Sequence, residues 1–164
     1  CVPEVMEQLR ILTLEIERMP KAFGATFGDP QGYPYLSVGT TSTHDMAPLR
    51  CWWHENPALT QRYFSEVLQR RGAAPQECSP ALCRKIVGRT LAGRSMLAIL
   101  PLQDWLATDV RLRRDDPDAE RINVPADPKH YWRYRMHLTM EELLASGEFN
   151  RSLKRMLRAA GRIR

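Results

Sequence analysis

Four consecutive residues, Ser42-Thr43-His44-Asp45, carry the clearest chemical potential in this 164-residue sequence. They follow an alternating stretch that reads as a strand. In parallel α/β folds, functional groups gather where strands exit into loops. Asp45 can place a negative charge there, facing a crevice, with His44 as a hydrogen-bonding neighbour. Arg50, Trp52 and Trp53 follow closely. Indole faces stack on sugar rings, and an arginine can orient a carboxylate. A structural turn fits the same residues, because Asp commonly caps a helix. Two sharper readings fail on spacing. His54, His130 and His137 do not fall at metal-ligand intervals. A Ser-His-Asp hydrolase would need a Gly-x-Ser-x-Gly elbow, and the sequence has none.

A second cluster comprises Arg121-Ile122-Asn123-Val124-Pro125 and Lys129-His130-Tyr131-Trp132-Arg133-Tyr134-Arg135. Amides satisfy hydroxyl pairs and aromatic rings cover apolar sugar faces, so this set suits polyol recognition. Equally, Trp132 and Tyr134 can pack over the end of a sheet while Arg133 and Arg135 snorkel to water.

The elements that must position these groups follow from periodicity. Residues 2–9 read as a short amphipathic helix. Residues 11–19 alternate, with Leu12, Leu14 and Ile16 on one face and polar residues opposite, which predicts a strand. Residues 20–34 are loop, and residues 35–39 form a second strand. Asn56 and Pro57 open a helix with Leu59, Tyr63, Phe64, Val67 and Leu68 as its stripe, ending at Gly72. Ser79-Pro80 opens another, which stops near Gly93. The apolar run at 95–100 predicts a strand buried on both faces, and 102–106 turns helical. Residues 107–130 are mostly loop. Thr139-x-x-Glu142 is a capping box that opens a helix, Gly147 interrupts it, and a last helix follows. Strands alternating with helical crossovers predict an α/β fold with a parallel sheet. Three strands make either a small layer or one arc of a larger sheet.

Composition narrows the classes. Hydrophobic residues are 43% and charged residues 26%, ordinary for a globular protein. No run of about 18 apolar residues is present, so no membrane span is expected. The net charge is +5, yet residues 151–164 hold six basic side chains and no acid. The rest is near neutral. A basic C-terminal helix end suits the helix dipole and lacks the aromatic-laced basic face that nucleic-acid binding requires, so no nucleic-acid partner is expected. Cys1, Cys51, Cys78 and Cys83 show no zinc spacing. They read as free thiols in a reducing compartment, which points to the cytoplasm. No cofactor and no metal is expected.

Taken together, Tyr33-Pro34-Tyr35-Leu36-Ser37-Val38, Ser42-Thr43-His44-Asp45, Leu49-Arg50-x-Trp52-Trp53, Leu100-Pro101-Leu102-Gln103-Asp104-Trp105-Leu106, Arg121-x-Asn123-x-Pro125 and the run His130 to Arg135 resemble the 4-α-glucanotransferases (amylomaltases, glycoside hydrolase family 77). The likeness covers essentially the whole chain. It implies that residues 1–164 are the C-terminal segment of a (β/α)8 barrel, with no separate second domain. Strands near 12–17, 35–39 and 95–100 would be the sixth, seventh and eighth. A start at Cys1 rather than Met agrees with a piece of a longer chain. The family reaction is retaining transfer between α-1,4-glucans. The resemblance assigns Asp45 as the transition-state stabiliser and His44 as a sugar-binding neighbour, and it matches Arg50, Trp52, Asn123, Trp132 and Arg135 to substrate-binding motif positions. The nucleophile and acid/base would lie upstream, leaving this segment alone inactive. Open sheet edges predict self-association. A stand-alone binding module with a basic C-terminal helix is the alternative.

Overall fold

The computed structural model describes residues 2–164. Three strands, β1 (Thr13–Ile16), β2 (Ser37–Thr40) and β3 (Leu97–Ala98), lie side by side in that order, all parallel. Thr13 pairs with Ser37, Leu14 with Val38, and Val38 in turn with Leu97. Helices flank them: α1 (Val2–Gln8) before β1, then α2 (Leu49–Glu55), α3 (Pro57–Arg62) and α4 (Pro80–Ala92) between β2 and β3. After β3 come α5 (Leu102–Leu106), α6 (Met140–Ala145) and α7 (Gly147–Ala159). The expected α/β arrangement with a small parallel sheet is present.

Local chemistry sets the helix boundaries. The Asn56 carboxamide accepts from Leu59 N–H at 3.0 Å, and the Ser79 hydroxyl accepts from Leu82 N–H at 3.3 Å. Thr139 and Glu142 form the reciprocal capping box. Proline at the first turn of α3 and of α4 gives up an N–H that would have no partner there. The helix expected to run to Gly72 leaves α geometry earlier. Past Arg62 it widens into a π-turn, where Leu68 N–H bonds Tyr63 C=O at 3.0 Å, and Gln69 then takes φ +52°. Helix α2, immediately before Asn56, is an additional element.

Two strand expectations need correction. The alternating segment at 11–19 is a strand only over Thr13–Ile16, since a turn and Pro20 follow. The run at 95–100 pairs only over Leu97–Ala98, and it is not buried on both faces: Leu97 and Ile99 are 41% and 60% exposed. On the face that carries Leu97 and Ile99, Leu14 is also 46% exposed, whereas Ile16, two residues further along the same side of β1, is buried.

The main core lies on the helix side. Leu49, Trp52, Trp53, Tyr63, Leu68, Cys78, Cys83 and Ile86 pack together. The Trp52 and Trp53 rings meet Tyr63 edge-on, with centroids 5.2 and 6.5 Å away, a favoured arrangement for aromatic quadrupoles. A smaller core joins Leu106 and Leu112 to Phe149 of α7. Cys51, Cys78 and Cys83 are free and buried, while Cys1 lies outside the described residues. The C-terminal tail is partly docked. Arg162 donates to the carbonyls of Leu91, Gly93, Ser95 and Met96 and so satisfies the end of α4.

Candidate active site

The parallel sheet delivers the Ser42-Thr43-His44-Asp45 segment to the exit of β2, where strand ends open into a groove. A tight turn forms at once: Met46 N–H bonds Thr43 C=O at 3.1 Å, and Asp45 N–H meets the Thr43 hydroxyl at 3.3 Å. Asp45 therefore stands at the tip of a turn, half-exposed, and caps no helix. One carboxylate oxygen accepts from the Asn123 amide at 2.7 Å. The other lies 3.2 Å from His44 Nε2. The His44 ring leans on Trp132, centroid to centroid 5.0 Å at 50°.

Four residues singled out in the sequence thus converge from segments about 80 positions apart. Asp45 supplies charge, His44 and Asn123 supply polar edges, and the half-exposed Trp132 supplies an open aromatic face. Beneath them runs a groove of about 390 Å³ over the partly open face of the sheet. Its walls include Leu14, Val38, Ile99, Leu102, His44 and Ile122.

The other three residues lie elsewhere. The Arg50 guanidinium is buried, pairs with Glu120 at 2.6 Å, and donates to the carbonyls of Arg114 and Asp115. It braces the 114–120 loop. Burial pushes the Glu120 carboxyl up against the opposing pull of Arg50. Trp52 is buried in the aromatic core with the Arg18 guanidinium 5.1 Å above its ring. Arg135 is exposed and lines a separate cavity of about 360 Å³ with Arg114, Arg121, Arg133 and Tyr134. Ile122 borders both that cavity and the groove, whose lining does not include Arg135.

Two residues of the site's surroundings were given no role in the sequence reading, although Asp104 lies in one of its motifs. Asp104, fully buried in α5, accepts from the Thr41 and Ser42 hydroxyls and from Leu49 N–H. Arg18, just past β1, donates to the carbonyls of Thr41 and Ala47. Burial lowers the Arg18 pKa, and the nearby Asp104 charge opposes that shift. The available signal was a lone carboxylate inside the apolar run 100–106. Such a residue must find donors if it is buried.

Among the described residues, no group of three or more His, Cys, Asp or Glu side chains could hold a metal ion, and no helix is long and apolar enough to cross a membrane.

The family model described as 4-alpha-glucanotransferase (glycoside hydrolase family 77) matches residues 1–140. A 4-alpha-glucanotransferase DPE2 from Oryza sativa subsp. japonica is 36% identical over 162 residues, covering 99% of this chain and 17% of the rice protein. A 4-alpha-glucanotransferase from Chlamydia muridarum is 29% identical over 156 residues, covering 91% of this chain and 28% of its own. The chain therefore spans between a sixth and a third of the length of these relatives. In fold it is similar to the amylomaltase from Streptococcus agalactiae solved in complex with acarbose. That match has a TM-score of 0.71 at 18% identity and covers 99% of this chain and 30% of that one. Sequence motifs, family model and relatives converge, and the chain belongs to the 4-α-glucanotransferase family, glycoside hydrolase family 77.

Proposed function

We propose that this chain is the C-terminal arc of a (β/α)8 barrel in a 4-α-glucanotransferase that moves segments between α-1,4-glucans, such as those derived from starch or glycogen, by a retaining mechanism. The observation that carries the reading is the Asp45 carboxylate, held at a strand exit by Asn123 and flanked by His44 and Trp132. Retaining chemistry uses a nucleophilic carboxylate and an acid/base carboxyl about 5–5.5 Å apart, with an oxocarbenium-like transition state. Asp45 supplies a further negative charge, fixed in place before positive charge develops on the sugar ring. Asn123 and His44 hold it and offer hydrogen bonds to ring hydroxyls, while Trp132 covers an apolar sugar face. Arg50 and Trp52 support the loops around the groove from within.

The nucleophile and acid/base belong to the remainder of the barrel, outside these 164 residues. The parallel sheet, with Leu14, Leu97 and Ile99 open on one apolar face, supports the arc reading, because a barrel lumen would fill that side. Three buried free thiols support a reducing compartment such as the cytoplasm. The stand-alone basic module is not favoured: Arg162, part of the basic tail, is spent on carbonyls at the end of α4.

The test is Asp45→Asn in the intact polypeptide that carries this segment. Charge stabilisation of this type is worth about 10²–10³ in turnover. Disproportionation of maltotriose should show kcat lowered by about that factor, with KM changed little. Unaltered kcat would remove Asp45 from the reaction. The isolated 164-residue chain should form no longer maltooligosaccharides.

A further inference from the structure

The Asp45 carboxylate is held by Asn123 and His44, and the Asp45 backbone N–H meets the Thr43 hydroxyl. The Asp45 side chain is 53% exposed, so packing does little to fix it. The rigidity of the turn has to come from its two ends, and both are tied into the interior by charged side chains. On one side, the Asp104 carboxylate accepts from Thr41 Oγ1 at 2.5 Å, Ser42 Oγ at 3.1 Å and Leu49 N at 2.8 Å. On the other, the Arg18 guanidinium donates to Thr41 C=O at 3.0 Å and to Ala47 C=O. Residues 41–42 before the turn and 47–49 after it are thereby fastened to a neighbouring strand exit on each side. Arg18 follows β1, and Asp104 sits in the helix after β3.

Burying a carboxylate completely costs free energy unless donors surround it, and an apolar side chain can fill such a space equally well. The three donors converging on Asp104 all belong to the flanks of one turn. We propose that Asp104 is a positioning residue which, with Arg18, clamps both ends of the 43–48 turn and so sets the Asp45 carboxylate in its productive place. This rests on the reading of Asp45 given above. The logic is preorganisation: a stabilising charge displaced by about 1 Å can forfeit roughly 100-fold in rate.

The experiment compares Asp104→Asn, Ser42→Ala, Asp45→Asn and the Asp104→Asn/Asp45→Asn pair in the intact polypeptide. Amide hydrogen exchange reports the turn, and maltotriose disproportionation reports kcat and KM. In Asp104→Asn, exchange over residues 43–49 should rise about tenfold while α4 and α7 are unchanged. Turnover should fall about 10- to 100-fold with KM within about threefold. In the Asp45→Asn background the same substitution should have almost no further effect on kcat, because Asp104 acts through Asp45. Should Asp104→Asn fail to fold, Ser42→Ala removes one donor of three. It should then shift exchange and kcat in the same direction by about two- to fivefold. Unchanged exchange at 43–49, or an equal kcat loss with and without the Asp45 carboxylate, overturns the clamp. Full activity in Asp45→Asn would instead overturn the glucan-site reading, and the exchange data would still decide whether the clamp exists.

Discussion

The two faces of the three-stranded sheet invert the usual rule. On the side toward the helices, the strand β1 and its exit bury Glu15 and Glu17, at 8% and 6% exposure. On the opposite side, Leu14, Leu97 and Ile99 are between 41% and 60% exposed. Each buried charge has its partners. Lys21 reaches Glu15 at 2.6 Å, and Tyr63 and Arg89 converge on Glu17 at 2.5 and 2.6 Å. The apolar row Leu14–Val38–Leu97 stays partly open, although Ile16 on the same side of β1 is buried. A charged face survives burial when its hydrogen bonds are complete, whereas apolar area left open to water forgoes the stabilisation that burial would bring. The first face is finished within these 164 residues. The second is partly open, and the proposed barrel interior would fill it.

The largest effect expected from disturbing this contrast is at Glu17. Replacing it with Leu should cost about 3 kcal/mol, the lower end for a broken buried ion pair because Arg89 keeps some contact with water. Denaturant unfolding measures it, and a loss below about 1 kcal/mol would mean that the charged face is not integral to the fold. Next comes pH. Burial, and then Glu17, hold the Tyr63 hydroxyl well above its ordinary value of 10.0. The folded protein therefore keeps its proton where the unfolded chain releases it. That contribution is complete below pH 10 and is lost as pH rises toward the folded value, at about 1.4 kcal/mol per pH unit for one such group. Stability curves between pH 9 and 11 should fall less steeply in Tyr63→Phe, although Tyr33 is shifted the same way by burial and retains its share. The smallest stability effect belongs to the apolar face. Leu14→Lys and Ile99→Lys should each alter stability of the isolated chain by no more than about 0.5 kcal/mol. They should also lower its self-association in light scattering after size exclusion. If Leu14→Lys destabilises as much as Glu17→Leu, the face is covered in solution and the contrast fails.

Much of the site was legible because its residues are consecutive or carry local signals. Ser42 to Asp45 announces itself as a polar block at a strand exit, and Asn56, Ser79 and the Thr139–Glu142 box cap helices as their types require. Trp132 and Asn123 were visible as candidates, although no periodicity could say that they meet Asp45. Arg50 and Trp52 show the limit from the other side. Their side chains are suited to sugars, yet α2 turns both into the interior, where Glu120 and the Tyr63 ring are their neighbours.

Side-chain type and order along the chain therefore determined the elements, the caps, the parallel α/β class and the block that bears the candidate carboxylate. These rest on backbone hydrogen bonding and on contacts within a few residues. Only the tertiary structure decided which face of the sheet is open, that Asp104 and Arg18 fasten opposite flanks of one turn, and that Asn123 meets Asp45. Those facts depend on residues brought together across dozens of positions. A buried charge reveals its role only when its donors are in place around it.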